Sequence, residues 1–259
     1  ALVIRVVSFV LPDRNALGIP DNVMAFANAP HGLVLFTGPA GSGKTTTLAC
    51  LVDAVNESRE AHVITIEDPL EYLHHHKKSV VTQRELYTDT LSYEAALRAA
   101  LREAPDIILL GEMRDAETIK AAVTAAETGH LVISTLHTIG AANTVDRIVD
   151  SFPPGQQQQI RTQLSQALEG VVSQQLLPTV DGALVPAFEV MNVTPAVRNM
   201  IRESKAFQLE SVISTSSALG MITMDQSILA LLKAGRITRD TALRHASNPD
   251  WMEKRFATL

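Results

Sequence analysis

The sequence predicts an α/β fold: a mainly parallel sheet with helices on its faces, followed by an α-helical region toward the C-terminal end. Three observations lead there. Short apolar and β-branched runs (Leu33–Thr37, His62–Ile66, Ile107–Leu110 and Leu131–Thr135) alternate with segments of helical periodicity. Each run ends in glycine or in polar residues, as buried strands of a parallel sheet do. From about Thr194 onward only helical periodicity remains.

In chain order, Leu33–Thr37 is a continuous buried-type strand, and Thr45–Val52 places apolar groups at helical spacing after it. His62–Ile66 is the second core strand. It closes at Glu67-Asp68-Pro69, where proline cannot donate to a ladder and presents the acids at a strand tip. Val80–Thr82 is a further short strand, and Tyr93–Arg102 a helix with Ala96, Leu97, Ala100 and Leu101 on one face. Ile107–Leu110 is fully apolar and runs into Gly111-Glu112-Met113-Arg114-Asp115; Ala116–Glu127 is an Ala-rich helix stopped by Gly129. Leu131–Thr135 ends in Leu136-His137-Thr138, and Asn143–Val149 is helical. Pro153-Pro154 opens a long helix expected to run to about Val172. Strands return at Leu176-Leu177 and Leu184–Val190 around an Asp181-Gly182 turn. The last third reads as helices over Ala196–Glu203, Phe207–Thr215, Met224–Ala234 and Thr238–Ala246.

The chain has 259 residues, 46% of them hydrophobic, enough for one large domain or two modest ones. Its formal charge is −6, which argues against nucleic acid as the main partner. The single cysteine, Cys50, excludes an intrachain disulfide framework and fits a reducing cytoplasm; it reads as a small core residue. No stretch approaches the roughly 18 consecutive apolar residues of a membrane span. Ala1–Val7 is strand-like and lacks the features of a signal peptide, so the chain reads as starting partway through a longer protein.

The chemistry concentrates in Gly38-Pro39-Ala40-Gly41-Ser42-Gly43-Lys44-Thr45, which fits G-x-x-x-x-G-K-[ST], a phosphate-binding loop between a strand and a helix. The glycines let the backbone curl around phosphate, and the helix N-terminus directs N–H groups at it. Lys44 would reach the β- and γ-phosphates and Thr45 would ligate Mg²⁺, with Thr46 next in the same stretch; the expected ligands are ATP or GTP with Mg²⁺. Hydrolysis further needs a carboxylate on water and a neutralising cation. Glu112, following an apolar strand, is the candidate for holding Mg²⁺ through water, and Glu71, two residues past Pro69, is first choice for general base. His137, at another strand tip, is placed to sense phosphate, and Arg84, Arg102 and Arg114 are candidate cations. His74-His75-His76-Lys77-Lys78 reads as a solvated loop, because consecutive histidines do not converge on one ion.

Four blocks carry a family resemblance: the loop Gly38–Thr45, Thr65-Ile66-Glu67-Asp68-Pro69-Leu70-Glu71-Tyr72, Asp106–Asp115, and Thr128-Gly129-His130-Leu131-Val132 through Thr138. Together they resemble the secretion-superfamily hexameric ATPases, and within them the type IV pilus retraction branch. The resemblance implies a RecA-like P-loop core over residues 31–193 and a helical region over 194–259. Residues 1–30 would be a remnant of an otherwise largely absent PAS-like N-terminal domain and its linker. It implies that Glu71 is the catalytic glutamate, Glu112 the Walker B acid, and His130 and His137 the histidines linking γ-phosphate state to subunit arrangement. It further implies a homo-hexamer at the cytoplasmic face of the inner membrane, peripheral to it, acting on a membrane-embedded pilus platform protein. Ala196–Glu203 resembles an element tied to retraction. Pilus extension, type II secretion, a nucleic-acid translocase and a nucleotide-gated regulator stand as alternatives.

Overall fold

The computed structural model describes Val7 and residues 10–256. Apart from Val7, the strand-like stretch 1–7 lies outside the described residues. Seven strands form one sheet in the order β3-β2-β4-β5-β1-β6-β7. They are β1 (Gly32–Thr37), β2 (His62–Glu67), β3 (Val80–Glu85), β4 (Ile107–Leu110), β5 (Leu131–Leu136), β6 (Leu168–Pro178) and β7 (Leu184–Asn192). All neighbours pair in parallel except β6 with β7, so the sheet is mainly parallel, as expected.

Strand alternation divides the interior into two layers. Leu33, Leu35, Ile108 and Leu110 face a core built with α3 (Tyr93–Ala100), α4 (Ala116–Glu127), α5 (Ala141–Asp150) and α6 (Pro154–Ala167). Val34, Phe36, Ile107 and Leu109 face the other layer, under α2 (Lys44–Ser58) and α1 (Asp21–Met24). Ser92 and Asp115 start α3 and α4 by accepting the Ala95 and Thr118 N–H groups, satisfying donors left open at a helix start.

One expected element is corrected. The helix from Pro154 ends at Ala167, and Leu168–Pro178 is a strand between β1 and β7. Leu164, Leu168, Val171 and Val172 satisfy helical spacing, but pairing on both sides overrides that local pattern. Gly170 leaves room for the Phe26 ring to lie against this strand, because a Cβ there would stand 2.2 Å from that ring.

The C-terminal helices are α7 (Pro195–Arg202), α8 (Leu209–Thr215), α9 (Met224–Lys233), α10 (Arg239–His245) and α11 (Pro249–Phe256). Val197, Ile201, Leu209 and Ile213 of α7 and α8 join the first sheet core. By contrast, α9, α10 and α11 enclose a smaller core with Leu177, Val185 and Ala187 from the ends of β6 and β7. The last helix, α11, was not foreseen, although Asn248 before Pro249 is a start signal: its side chain accepts the Trp251 N–H at 2.9 Å.

Candidate functional site

Because β1 to β5 run in parallel, their carboxyl ends meet at one sheet edge, the edge at which such folds take ligands. The loop 38–43 leaves β1 there and enters α2 through Gly43, at φ 87°. Gly38 stands at φ 141°, and a Cβ on it would lie 2.2 Å from the Gln174 carbonyl oxygen. Only glycine fits that turn. Lys44 is the first residue of α2 and its Nζ donates to the carbonyls of Gly38 at 2.7 Å and Pro39 at 3.0 Å. Burial lowers its pKa, while the charge of Glu112 works the other way. The hydroxyls of Thr37 and Ser42 are buried beside this loop without a partner. A left-handed glycine loop at a helix start directs backbone N–H groups where a phosphate would accept them.

A cleft of about 310 Å³ opens against the loop, and Lys44, Thr45, Glu67, Glu71, Glu112 and His137 line it. Glu112 holds the centre of a charge network. Its Oε1 lies 3.1 Å from His137 Nε2, its Oε2 accepts from Arg114 Nε at 2.7 Å, and Arg114 lies 3.7 Å from Asp68. Glu67 accepts from the Thr65 hydroxyl at 2.7 Å and from Gln83 Nε2 at 3.3 Å. Burial pushes its carboxyl above the usual range, against those two hydrogen bonds. Tyr93 also lines the cleft, and burial raises its phenol to about 12. A second cavity, about 280 Å³, lies on the other side of the loop, lined by Leu17, Ile19, Thr46, Gln174, Leu176 and Arg236 among others.

The profile of the type II/IV secretion system protein family matches residues 1–235, most of the chain. The chain belongs to that family. A twitching motility protein of Neisseria gonorrhoeae is 51% identical over 253 residues, 97% of this chain and 68% of that protein. The type IV pilus retraction ATPase PilT of Pseudomonas aeruginosa is 50% identical over 234 residues, 90% of this chain and 68% of that one. Among solved structures, the pilus retraction motor PilT with bound ADP superposes with a TM-score of 0.89 at 48% identity, over 96% of this chain and 71% of that one.

This secretion-family chain does not gather every expected residue into its own cleft. His130 stands just before β5, at the opposite sheet edge, where its Nδ1 lies 3.0 Å from the Ala125 carbonyl and its own carbonyl accepts from Gly32. Arg102 lies in the turn after α3, and Arg84 pairs with Glu103 at 2.6 and 2.8 Å; neither lines the cleft. The polarity of a parallel sheet separates His130 from His137: the two bracket one strand. His74, expected in a solvated loop, instead lines the cleft with a buried Nδ1 that has no partner, and burial lowers its pKa. Among the described residues no cluster of three or more His, Cys, Asp or Glu side chains is arranged to hold a metal.

Tyr72, Thr135 and Gln174 were not anticipated. The Tyr72 hydroxyl lies 3.1 Å from Thr46 Oγ1, and Thr135 Oγ1 donates to the Gly111 carbonyl, fixing the backbone next to Glu112. Gln174 Oε1 accepts from Thr47 Oγ1 at 2.9 Å. Its place on β6 was hidden by the helical reading of the preceding residues; the β-branched pair Val171-Val172 was the available signal.

Proposed function

We propose that this chain is an ATP-hydrolysing motor that powers type IV pilus retraction, the activity for which its retraction-ATPase relatives are named. The observation that carries the chemistry is the convergence of Lys44, Thr45, Glu71 and Glu112 on one cleft against the glycine loop.

In this reading Lys44 leaves the Gly38 and Pro39 carbonyls for the β- and γ-phosphates, and the loop N–H groups take the remaining oxygens. Thr45 and, through water, Glu112 would hold Mg²⁺; oxygen donors suit that ion, which when bound supplies positive charge to the phosphates. Glu71 takes a proton from the attacking water as its oxygen bonds to the γ-phosphorus and the bond to the β–γ bridging oxygen breaks. His137 holds Glu112 in place and is exposed enough to exchange that contact for one to phosphate. The second cavity, apolar on the side of Leu17, Ile19 and Leu176, suits the nucleotide base.

The same reading makes the working particle a homo-hexamer that moves an inner-membrane platform protein from the cytoplasmic side. No described helix is long and apolar enough to cross a membrane, consistent with a peripheral role through partners. Arg102 and His130, outside this cleft, would reach nucleotide only across a subunit boundary, and Arg114 would do so after leaving Glu112.

Glu71→Gln is the direct test. Phosphate release should fall by about 10²–10⁴-fold with ATP binding retained. Unchanged release removes Glu71 from the reaction, and intact pilus retraction in cells lacking the protein removes the motor.

A further inference from the structure

Glu189 on β7 is 7% exposed and touches neither the phosphate loop nor the cleft. Its carboxylate instead joins two helix starts. Oε1 accepts the Ala141 N–H at 2.7 Å, the first residue of α5, and Oε2 accepts the Met224 N–H at 3.4 Å, the first residue of α9. Burial raises its pKa, and the two backbone donors oppose that shift.

Each end of this bridge leads somewhere distinct. Ala141 lies four residues after His137, and the intervening turn is pinned tightly. Gly140 N donates to the buried Ser173 hydroxyl at 3.0 Å, Thr144 Oγ1 donates to the Gly140 carbonyl at 2.7 Å, and the Thr138 and Thr144 hydroxyls lie 2.7 Å apart. Movement of His137 away from Glu112 is thereby passed to the α5 start rather than absorbed in a loose loop. At the other end, Asp225 beside Met224 accepts the Ser247 and Asn248 N–H groups at 2.7 and 2.9 Å, tying α9 to the segment before α11. A path of hydrogen bonds therefore runs from the Glu112–His137 pair to the C-terminal helices. Glu189 is the side chain that joins the starts of α5 and α9, beside the Val190–Ile222 backbone bridge and the Phe188 N–H bond to the Ser227 hydroxyl.

We infer that Glu189 is a positioning residue that couples the His137 turn of the cleft to α9, so that nucleotide state is felt in the C-terminal helices. This inference rests on the cleft being the nucleotide site proposed above, and it deepens that reading. A structural carboxylate would be needed for folding alone; a coupling carboxylate makes α9 respond to ligand.

Glu189→Gln separates the two. The amide keeps one oxygen acceptor for Ala141 N–H and turns an NH₂ group toward Met224 N–H, breaking the bridge at nearly constant shape. Hydrogen exchange at the backbone amides of Met224–Gln226 would be compared with and without ADP, and with an unhydrolysable ATP analogue, each with Mg²⁺. In the wild-type protein nucleotide should slow exchange there by about tenfold, the scale of one buried hydrogen bond. In Glu189→Gln the nucleotide Kd should stay within about twofold of wild type while that response disappears. Glu189→Ala should lose the same response, whatever its effect on the melting temperature. Exchange at α9 that ignores nucleotide in the wild type, or a response that survives in both variants, overturns the coupling. The readout is binding, so a wild-type chain that binds ADP but never hydrolyses ATP would sink the motor and leave the coupling legible.

Discussion

Thr46 Oγ1 stands 3.1 Å from the Tyr72 hydroxyl, joining the first turn of α2 to the segment that carries Glu71. Glu71, the proposed general base, is thereby held near the phosphate loop by its neighbour Tyr72. Tyr72→Phe removes only that hydroxyl, at a cost of about 1 kcal/mol. The expected outcome is a kcat lowered about fivefold with little change in ATP affinity, since the phosphate ligands are untouched. Steady-state phosphate release alongside nucleotide titration checks it; a loss confined to affinity would assign Tyr72 to binding instead.

Glu112 is contacted by His137 and Arg114 at once, so its charge is balanced before any ligand arrives. Glu112→Gln keeps the shape and removes the charge. Turnover should drop by about 10²–10³-fold, because an amide would hold less firmly the Mg²⁺ that neutralises developing charge. Single-turnover hydrolysis measures this, and ADP binding without Mg²⁺ should be nearly unaffected.

Gly38→Ala places a methyl group 2.2 Å from the Gln174 carbonyl oxygen at a φ of 141°. Backbone strain of this kind costs about 1–3 kcal/mol before the steric clash is added. Thermal unfolding should shift down by at least several degrees, at roughly 2–4 °C per kcal/mol for a chain of this size, and ATP binding should be lost. A melting temperature equal to wild type would show that the loop relaxes freely.

Glu67 is a half-buried acid whose pKa is raised from 4.5 by desolvation. The native state therefore binds its proton more tightly than the unfolded chain does. Its contribution to stability is fully present below pH 4.5 and is lost as pH climbs through the raised value. Glu67→Gln holds a permanently neutral side chain whose oxygen still accepts from Thr65 and Gln83. The melting temperature of the variant relative to wild type should rise between pH 5 and pH 8. A difference that is flat or falling over that range would show Glu67 to be charged in the native protein.

Much of the fold was written locally. Continuous apolar runs marked β1, β2, β4 and β5 because a strand buried on both faces has no polar side to show. The glycine loop was legible because its spacing is dictated by phosphate geometry rather than by neighbours. Sequence by itself determined these four strands, the loop and which acids stand at the strand tips. Tertiary structure alone decided three things. It made Leu168–Pro178 a strand, because β1 and β7 offer hydrogen bonds that outweigh helical spacing. It held Arg84 away from the cleft, because Glu103, distant in sequence, packs beside it and pairs with it. And it buried Gln174 and Glu189 and half-buried His74 against the cleft, because burial depends on which distant segments pack over a side chain, and no local pattern records that.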